Sequence, residues 1–232
     1  MRVAFAKQRR YLAMAQTAKY LLFRWYDTIV YPEQTLIVFA RDDDYFFGVL
    51  HSRAHEVWAL KLGTRLETRP RYTPTTCFET FPFPEATAEQ QAGIAAAAQE
   101  LNALRERWLN PPEWTREEVL EFPASVDGPW SRYVVGRDDP PGRPQSGNSA
   151  GEPAARPYQI GTARYPRLVP KDADCAKKLA KRTLTNLYNE RPTWLANAHA
   201  TLDTAVFASY GWPVALTDAE ILERLLALNL AR

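Results

Sequence analysis

Arg71-Tyr72-Thr73-Pro74-Thr75-Thr76-Cys77-Phe78-Glu79-Thr80-Phe81-Pro82-Phe83-Pro84 is the stretch on which the reading of this chain turns. Five of its last seven residues are Phe or Pro. Such a segment is stiff, interrupts both helix and ladder, and offers large rings to a core. The residues before it are basic, with Lys61, Arg65, Arg69 and Arg71 against one acid, Glu67. Closely spaced guanidiniums beside a stiff aromatic segment suit a phosphate backbone and base edges. If extended, Arg65, Glu67, Arg69 and Arg71 are spaced by two and project from one face. That face either reads a DNA groove, Arg gripping guanine O6 and N7 and a carboxylate accepting from cytosine N4, or is a surface strand of self-paired charges.

Upstream, Tyr20 to Tyr26 and Thr35 to Phe39 predict two strands separated by a turn at Tyr31-Pro32-Glu33-Gln34. Asp42 to Asp44 cap a helix running to about Lys61, which Gly63 ends. Residues 64–80 read as β-like, with Pro70 and Pro74 confining them to an edge. Downstream, Thr87-Ala88-Glu89-Gln90 has capping-box spacing, and Ala97, Leu101, Leu104 and Trp108 form one apolar stripe that Pro111 and Pro112 stop. Residues 138–157 hold five prolines and three glycines and read as a flexible loop. The C-terminal third predicts three helices: about Asp174 to Tyr188, Thr193 to Tyr210 with Gly211 at its end, and one opening on the capping box Thr217 to Glu220. The fold class expected is α+β, a small mixed or antiparallel β element with packed helices, followed by a mainly helical C-terminal region.

A chain of 232 residues is long enough for a real core, and its net charge of +2 is distributed unevenly. Residues 1–71 hold twelve Lys/Arg against seven Asp/Glu, residues 85–122 three against eight, and residues 164–182 seven against two. Basic ends around an acidic middle fit two basic surfaces offered to an anion. Cys77 and Cys175 are isolated thiols, which points to a reducing cytoplasm. No membrane-spanning run and no signal-peptide pattern is present.

Several catalytic patterns fail on inspection. Asn110-Pro111-Pro112-Glu113-Trp114 resembles the motif with which adenine amino-methyltransferases hold a flipped base, but Glu113 stands at the aromatic position and the segment follows a helix. It reads as a helix stop. His51 and His55, four apart, lack an identifiable third metal ligand and read as surface or capping histidines, or as phosphate donors where the helix end meets DNA. No nucleophile–base pair and no glycine-rich cofactor loop stands out. Catalysis by the chain alone is not expected.

The motifs together resemble MmeI-like enzymes, the single-chain type IIL/IIG restriction–modification proteins. In that family an Arg-Tyr-Ser/Thr start runs into a Phe-Pro-aromatic-Pro finish, matched here by Arg71-Tyr72-Thr73 and Phe81-Pro82-Phe83-Pro84. Asp44 to Ser52, Ala54 to Trp58, Arg182 to Asn189, Trp194 to His199 and Ala208 to Trp212 also look familial. The resemblance implies a partial target-recognition domain over 1–84, a connecting helix and acidic segment over 85–137, the loop over 138–160 and a helical region over 161–232. It implies a DNA-recognition module of a site-specific adenine-N6 methyltransferase, with double-stranded DNA as partner. The catalytic part and its S-adenosylmethionine are expected on an upstream methyltransferase domain or subunit. Arg65, Glu67, Arg69, Arg71, Tyr72, Thr73, His51, Ser52 and Arg53 are the expected DNA contacts. A different class of function, a helical protein–protein module docking on a methyltransferase without touching DNA, remains open.

Overall fold

The computed structural model describes residues 8–135 and 159–231. Two compact units divide them. The first comprises the chain up to Pro111 together with Lys177 onward; the second is Pro112–Ala176.

The first unit opens with β1 (Arg10–Ala15), the central strand of an antiparallel sheet. On its flanks lie β2 (Arg24–Asp27) and β3 (Leu36–Phe39), the two strands foreseen from the aromatic bursts. They do not pair with each other; each pairs with β1, Leu12 standing opposite both Trp25 and Phe39. Tyr11 to Met14 are buried without alternation, as expected of a strand covered on both faces.

The helix expected from Asp44 to Lys61 is two helices, α1 (Asp44–His51) and α2 (Arg53–Leu62). Ser52 divides them because it serves both ends. Its extended backbone ends α1, its hydroxyl donates to Val49 O at 2.7 Å, and the same oxygen accepts from His55 N at 3.4 Å as the N-cap of α2. Residues 64–80 are partly β: a hairpin of β4 (Thr64–Leu66) and β5 (Arg69–Arg71) gives way to one π-helical turn at Pro74–Phe78. Proline at the start of that turn has no N–H of its own to leave unsatisfied.

The long helix α3 (Ala88–Leu109) starts on the expected capping box, Thr87 and Gln90 exchanging bonds of 2.9 and 3.2 Å. Its buried face is Ile94, Ala97, Ala98, Leu101, Arg105 and Leu109, so the stripe read from sequence is offset and includes a charge. Gly48 of α1 faces it so closely that a Cβ there would lie 2.8 Å from Ile94 Cγ2. The helix foreseen over Asp174 to Tyr188 breaks into α4 (Ala173–Leu179) and α5 (Leu184–Glu190), Thr183 capping the second through Asn186 N at 3.1 Å. Next come α6 (Thr193–Tyr210), closed by Gly211 at φ 69°, and α7 (Asp218–Leu230), opened by the Thr217–Glu220 capping box.

The Phe-Pro element fills the core of this unit. Phe81 is buried, its ring edge-on to His55 at 4.9 Å, and Phe83 stacks on Phe46 at 5.6 Å. Tyr210 and Tyr45 donate to the carbonyls of Pro82 and Pro84 at 2.7 and 3.2 Å.

The second unit is a three-stranded antiparallel sheet ordered β6 (Thr115–Ser125), β8 (Ile160–Pro170), β7 (Val134–Val135). Residues 85–137 therefore hold a long strand as well as the connecting helix, and the segment from 161 onward begins as strand. The acidic and basic blocks meet here across two strands: Glu121 pairs with Arg164 at 2.7 Å and Glu118 with Arg167 at 2.6 Å. Phe122, Trp130, Tyr133 and Tyr165 cluster at ring separations of 4.8 to 6.2 Å. Of the loop expected over 138–160, residues 138–158 lie outside the described ones, and Ile160 already belongs to β8.

Candidate nucleic-acid interface

The hairpin carries the basic cluster, but not on a single face. Arg65 stands opposite Pro70, Leu66 opposite Arg69 and Thr64 opposite Arg71. Directly opposed residues share a face, and neighbours along a strand do not. Arg69 and Arg71 thus project with Thr64 and Leu66, while Arg65 projects from the other side. The expectation of one continuous face is corrected because the chain reverses at Glu67-Thr68. Glu67 turns it at φ 55°, a left-handed conformation that L-residues other than Asn, Asp and Gly rarely adopt.

All four charged residues of the hairpin are exposed. Among the described residues none of them takes part in an ion pair or a side-chain hydrogen bond. Leu66 at the turn is 54% exposed, an apolar side chain beside Arg69. Main-chain bonds fasten the ribbon to the first sheet: Ala18 N donates to Pro70 O at 3.3 Å and Tyr72 N to Gln16 O at 2.8 Å, with a bridge between Thr17 and Arg71. Thr73, partly exposed, follows directly and caps the π-helical turn with its carbonyl, which accepts from Cys77 N at 2.8 Å.

Four of the expected contacts lie elsewhere. Tyr72 is buried, and its hydroxyl donates to His55 Nε2 at 3.0 Å while His55 Nδ1 donates to Leu50 O at 2.9 Å. Burial holds His55 down at about 4 and pushes the Tyr72 hydroxyl up. His51 is buried as well; its Nε2 accepts from Arg105 Nη1 at 2.8 Å and from Phe23 N at 3.3 Å. Burial and the Arg105 charge hold His51 well below its ordinary value, so it has no Nε2 proton to give a phosphate. Ser52 is spent on the two helix ends. Arg53 is partly exposed but tied within the chain, to Asp218 at 2.5 Å and Leu216 O at 2.8 Å, while its backbone N donates to Asp203 at 2.7 Å. These side chains are bonded within the chain: Tyr72 to His55, His51 to Arg105 and Phe23, Ser52 to the ends of α1 and α2, and Arg53 to Leu216 and Asp218. His51 and His55, on different helices with their ring nitrogens engaged, are neither surface histidines nor a metal pair.

Sequence reading missed Arg105, which is 1% exposed and donates from Nη2 to Phe23 O at 2.9 Å. Burial lowers its pKa, and it stands on the buried face of α3 beside Leu104, the position the expected stripe had used. The only available signal was a charge falling on the buried side of a helical period.

Residues 7–85 match the family model described as the MmeI target recognition domain. That stretch contains both helices α1 and α2, the hairpin and the Phe-Pro element. DNA methyltransferase A of Bacillus subtilis (strain 168) is 39% identical over 62 residues, which make up 27% of this chain and 7% of the relative. A solved structure of the type IIL restriction–modification enzyme MmeI in complex with DNA superposes on 97% of this chain and 21% of its own, with a TM-score of 0.61 and 18% identity. The fold is therefore shared with a part of that enzyme, and the chain spans about a fifth of its length.

Proposed function

We propose that the chain is a DNA sequence-recognition module of a restriction–modification system, and that its β4–β5 hairpin is the part that meets the duplex. One observation carries this reading. Three guanidiniums and one carboxylate stand exposed and unpaired, among the described residues, on a two-stranded ribbon inside the stretch that matches a target recognition domain. A two-stranded ribbon fits a major groove about 12 Å wide, where arginine and carboxylate discriminate bases. On this reading Arg69, Arg71 and Glu67 read base edges, and Arg65 and Thr73 hold the backbone beside them. Tyr72 anchors the end of the ribbon in the core, and His51, Ser52 and Arg53 are bonded within the folded chain.

Methyl transfer and S-adenosylmethionine belong, in this proposal, to a methyltransferase domain or subunit with which the module works. Both cysteines are free thiols, which suits a reducing cytoplasm. No helix among the described residues is long and apolar enough to cross a membrane.

The test is fluorescence anisotropy of the full chain against duplexes enriched from a random library, with and without the cognate methyltransferase. Arg69→Ala should weaken binding by roughly 1–3 kcal/mol, about 5- to 150-fold, and relax preference at one base pair. Affinity that is absent, or that does not fall as salt rises, would overturn the proposal and favour the docking module that never touches DNA.

A further inference from the structure

We infer that Leu66 is a base-reading residue of the hairpin: its side chain meets the 5-methyl group of a thymine stacked beside the guanine that Arg69 grips. The inference rests on the DNA-recognition reading and deepens it by naming a chemical group that the target must carry.

Leu66 has no structural task. It is 54% exposed, and it belongs neither to the buried core nor to the half-buried side chains packed against it. It closes a three-residue strand in which every side chain is exposed. Leucine is not among the residues that favour strands, so β-propensity gives no reason for it there. An exposed apolar side chain on a short two-stranded ribbon also invites unwanted pairing.

Its position supplies the reason. Leu66 stands directly opposite Arg69, and the two flank the Glu67-Thr68 turn. They therefore share one face at the tip of the ribbon, with Thr64 and Arg71 as the next pair on that face. Arg69 makes no ion pair or side-chain hydrogen bond among the described residues, so its guanidinium is not held away from a base. Opposed side chains of an antiparallel pair start about 4.5–5.5 Å apart. Successive base pairs of a duplex are about 3.4 Å apart. An arginine gripping one base pair thus brings the leucine opposite it over a neighbouring pair.

The chemistry of the groove decides what the leucine can meet there. On the major-groove side thymine alone among the four bases presents an apolar group, its C5 methyl. At the other bases Leu66 would cover N7, O6, N6 or N4 and leave a polar atom without water or partner. Attraction to the methyl and the penalty elsewhere act in the same direction.

The experiment uses the full chain with the cognate methyltransferase, on the duplex enriched from the random library. Each thymine of the site is replaced in turn by deoxyuridine, which removes the methyl and keeps every hydrogen-bonding group. Anisotropy is recorded for the wild-type chain, Leu66→Ala and Arg69→Ala, with thermal unfolding of each. At a thymine next to the guanine affected by Arg69→Ala, deoxyuridine should weaken wild-type binding about fourfold, as expected for one buried methyl. Leu66→Ala should bind the thymine and deoxyuridine duplexes equally and lose the preference for thymine over cytosine at that pair. It should keep the preference for the guanine and the wild-type thermal midpoint, since its side chain is exposed. If no thymine distinguishes the wild-type chain from Leu66→Ala, or if Leu66→Ala weakens every duplex by one common factor, the leucine inference is overturned. The hairpin reading then stands as long as Arg69→Ala relaxes the guanine preference. If Arg69→Ala changes no preference, the hairpin reading falls and Leu66 falls with it.

Discussion

Arg71 and Tyr72 are chain neighbours with opposite fates. One guanidinium is exposed on the hairpin; the next side chain points into the core and completes a chain from the Tyr72 hydroxyl through His55 to Leu50 O. Removing that hydroxyl leaves a buried ring nitrogen without its donor, which costs about 1–3 kcal/mol. Tyr72→Phe should therefore lower the urea midpoint by that equivalent while the folded protein keeps its DNA preference. Loss of preference without loss of stability would return Tyr72 to the interface. From sequence, Arg71-Tyr72-Thr73 gave no sign of this division. The side-chain period is two, so adjacent residues must diverge, but which one faces inward depends on pairing with residues 16–18, more than fifty positions away.

At the scale of elements, local signals were readable and non-local ones were not. Both capping boxes and the Gly211 stop lie within one turn of the helices they bound, and each is where its residues indicate. The hairpin went unread because its turn, Glu67-Thr68, has none of the Gly or Asn that marks a two-residue loop. Strands β6 and β8 were hidden because the four charges of the first and the two arginines of the second are explained only by the partner strand, across the gap of residues 126–159. Close helix packing gives a paired test. Gly93→Ala meets nothing within 4 Å and should stabilise α3 by up to about 1 kcal/mol. Gly48→Ala would put a methyl 2.8 Å from Ile94 Cγ2, 3.0 Å from Ala98 Cβ and 3.2 Å from Leu202 Cδ1. Ala98 has no rotamer with which to yield, so this substitution should destabilise by about 1–3 kcal/mol. Thermal unfolding of the two variants should shift in opposite directions.

For the whole molecule, acid is the informative variable. His55 and His199 are held at about 4, and His51 well below its ordinary value, each chiefly by burial. The unfolded chain takes up protons on these histidines near pH 6.5 while the folded chain does not, so their contribution is full above 6.5 and is lost as pH falls toward 4. Asp203, raised to about 6 by burial, acts in the opposite sense: the folded form binds its proton first, and stability is gained as pH falls from 6 toward 4. Glu56, also raised by burial, acts with Asp203, and the three histidines outweigh the two carboxyls. The urea midpoint should fall between pH 6.5 and 4.5, and replacing Asp203 with Asn should steepen that fall. A flat or rising profile would contradict the buried, neutral histidines.

The first unit leaves at Pro111 and returns at Lys177, and Arg182 lies over Trp108 at 4.4 Å, so the two chain ends that flank the second unit are held together by a contact of their own. The β6–β8 sheet is in this sense a removable cassette. Replacing 112–176 with a short Gly-Ser bridge should leave a cooperatively unfolding protein that retains the β4–β5 hairpin. Exchanging that cassette for a foreign one would then be a way to graft new attachments onto the first unit without altering its hairpin.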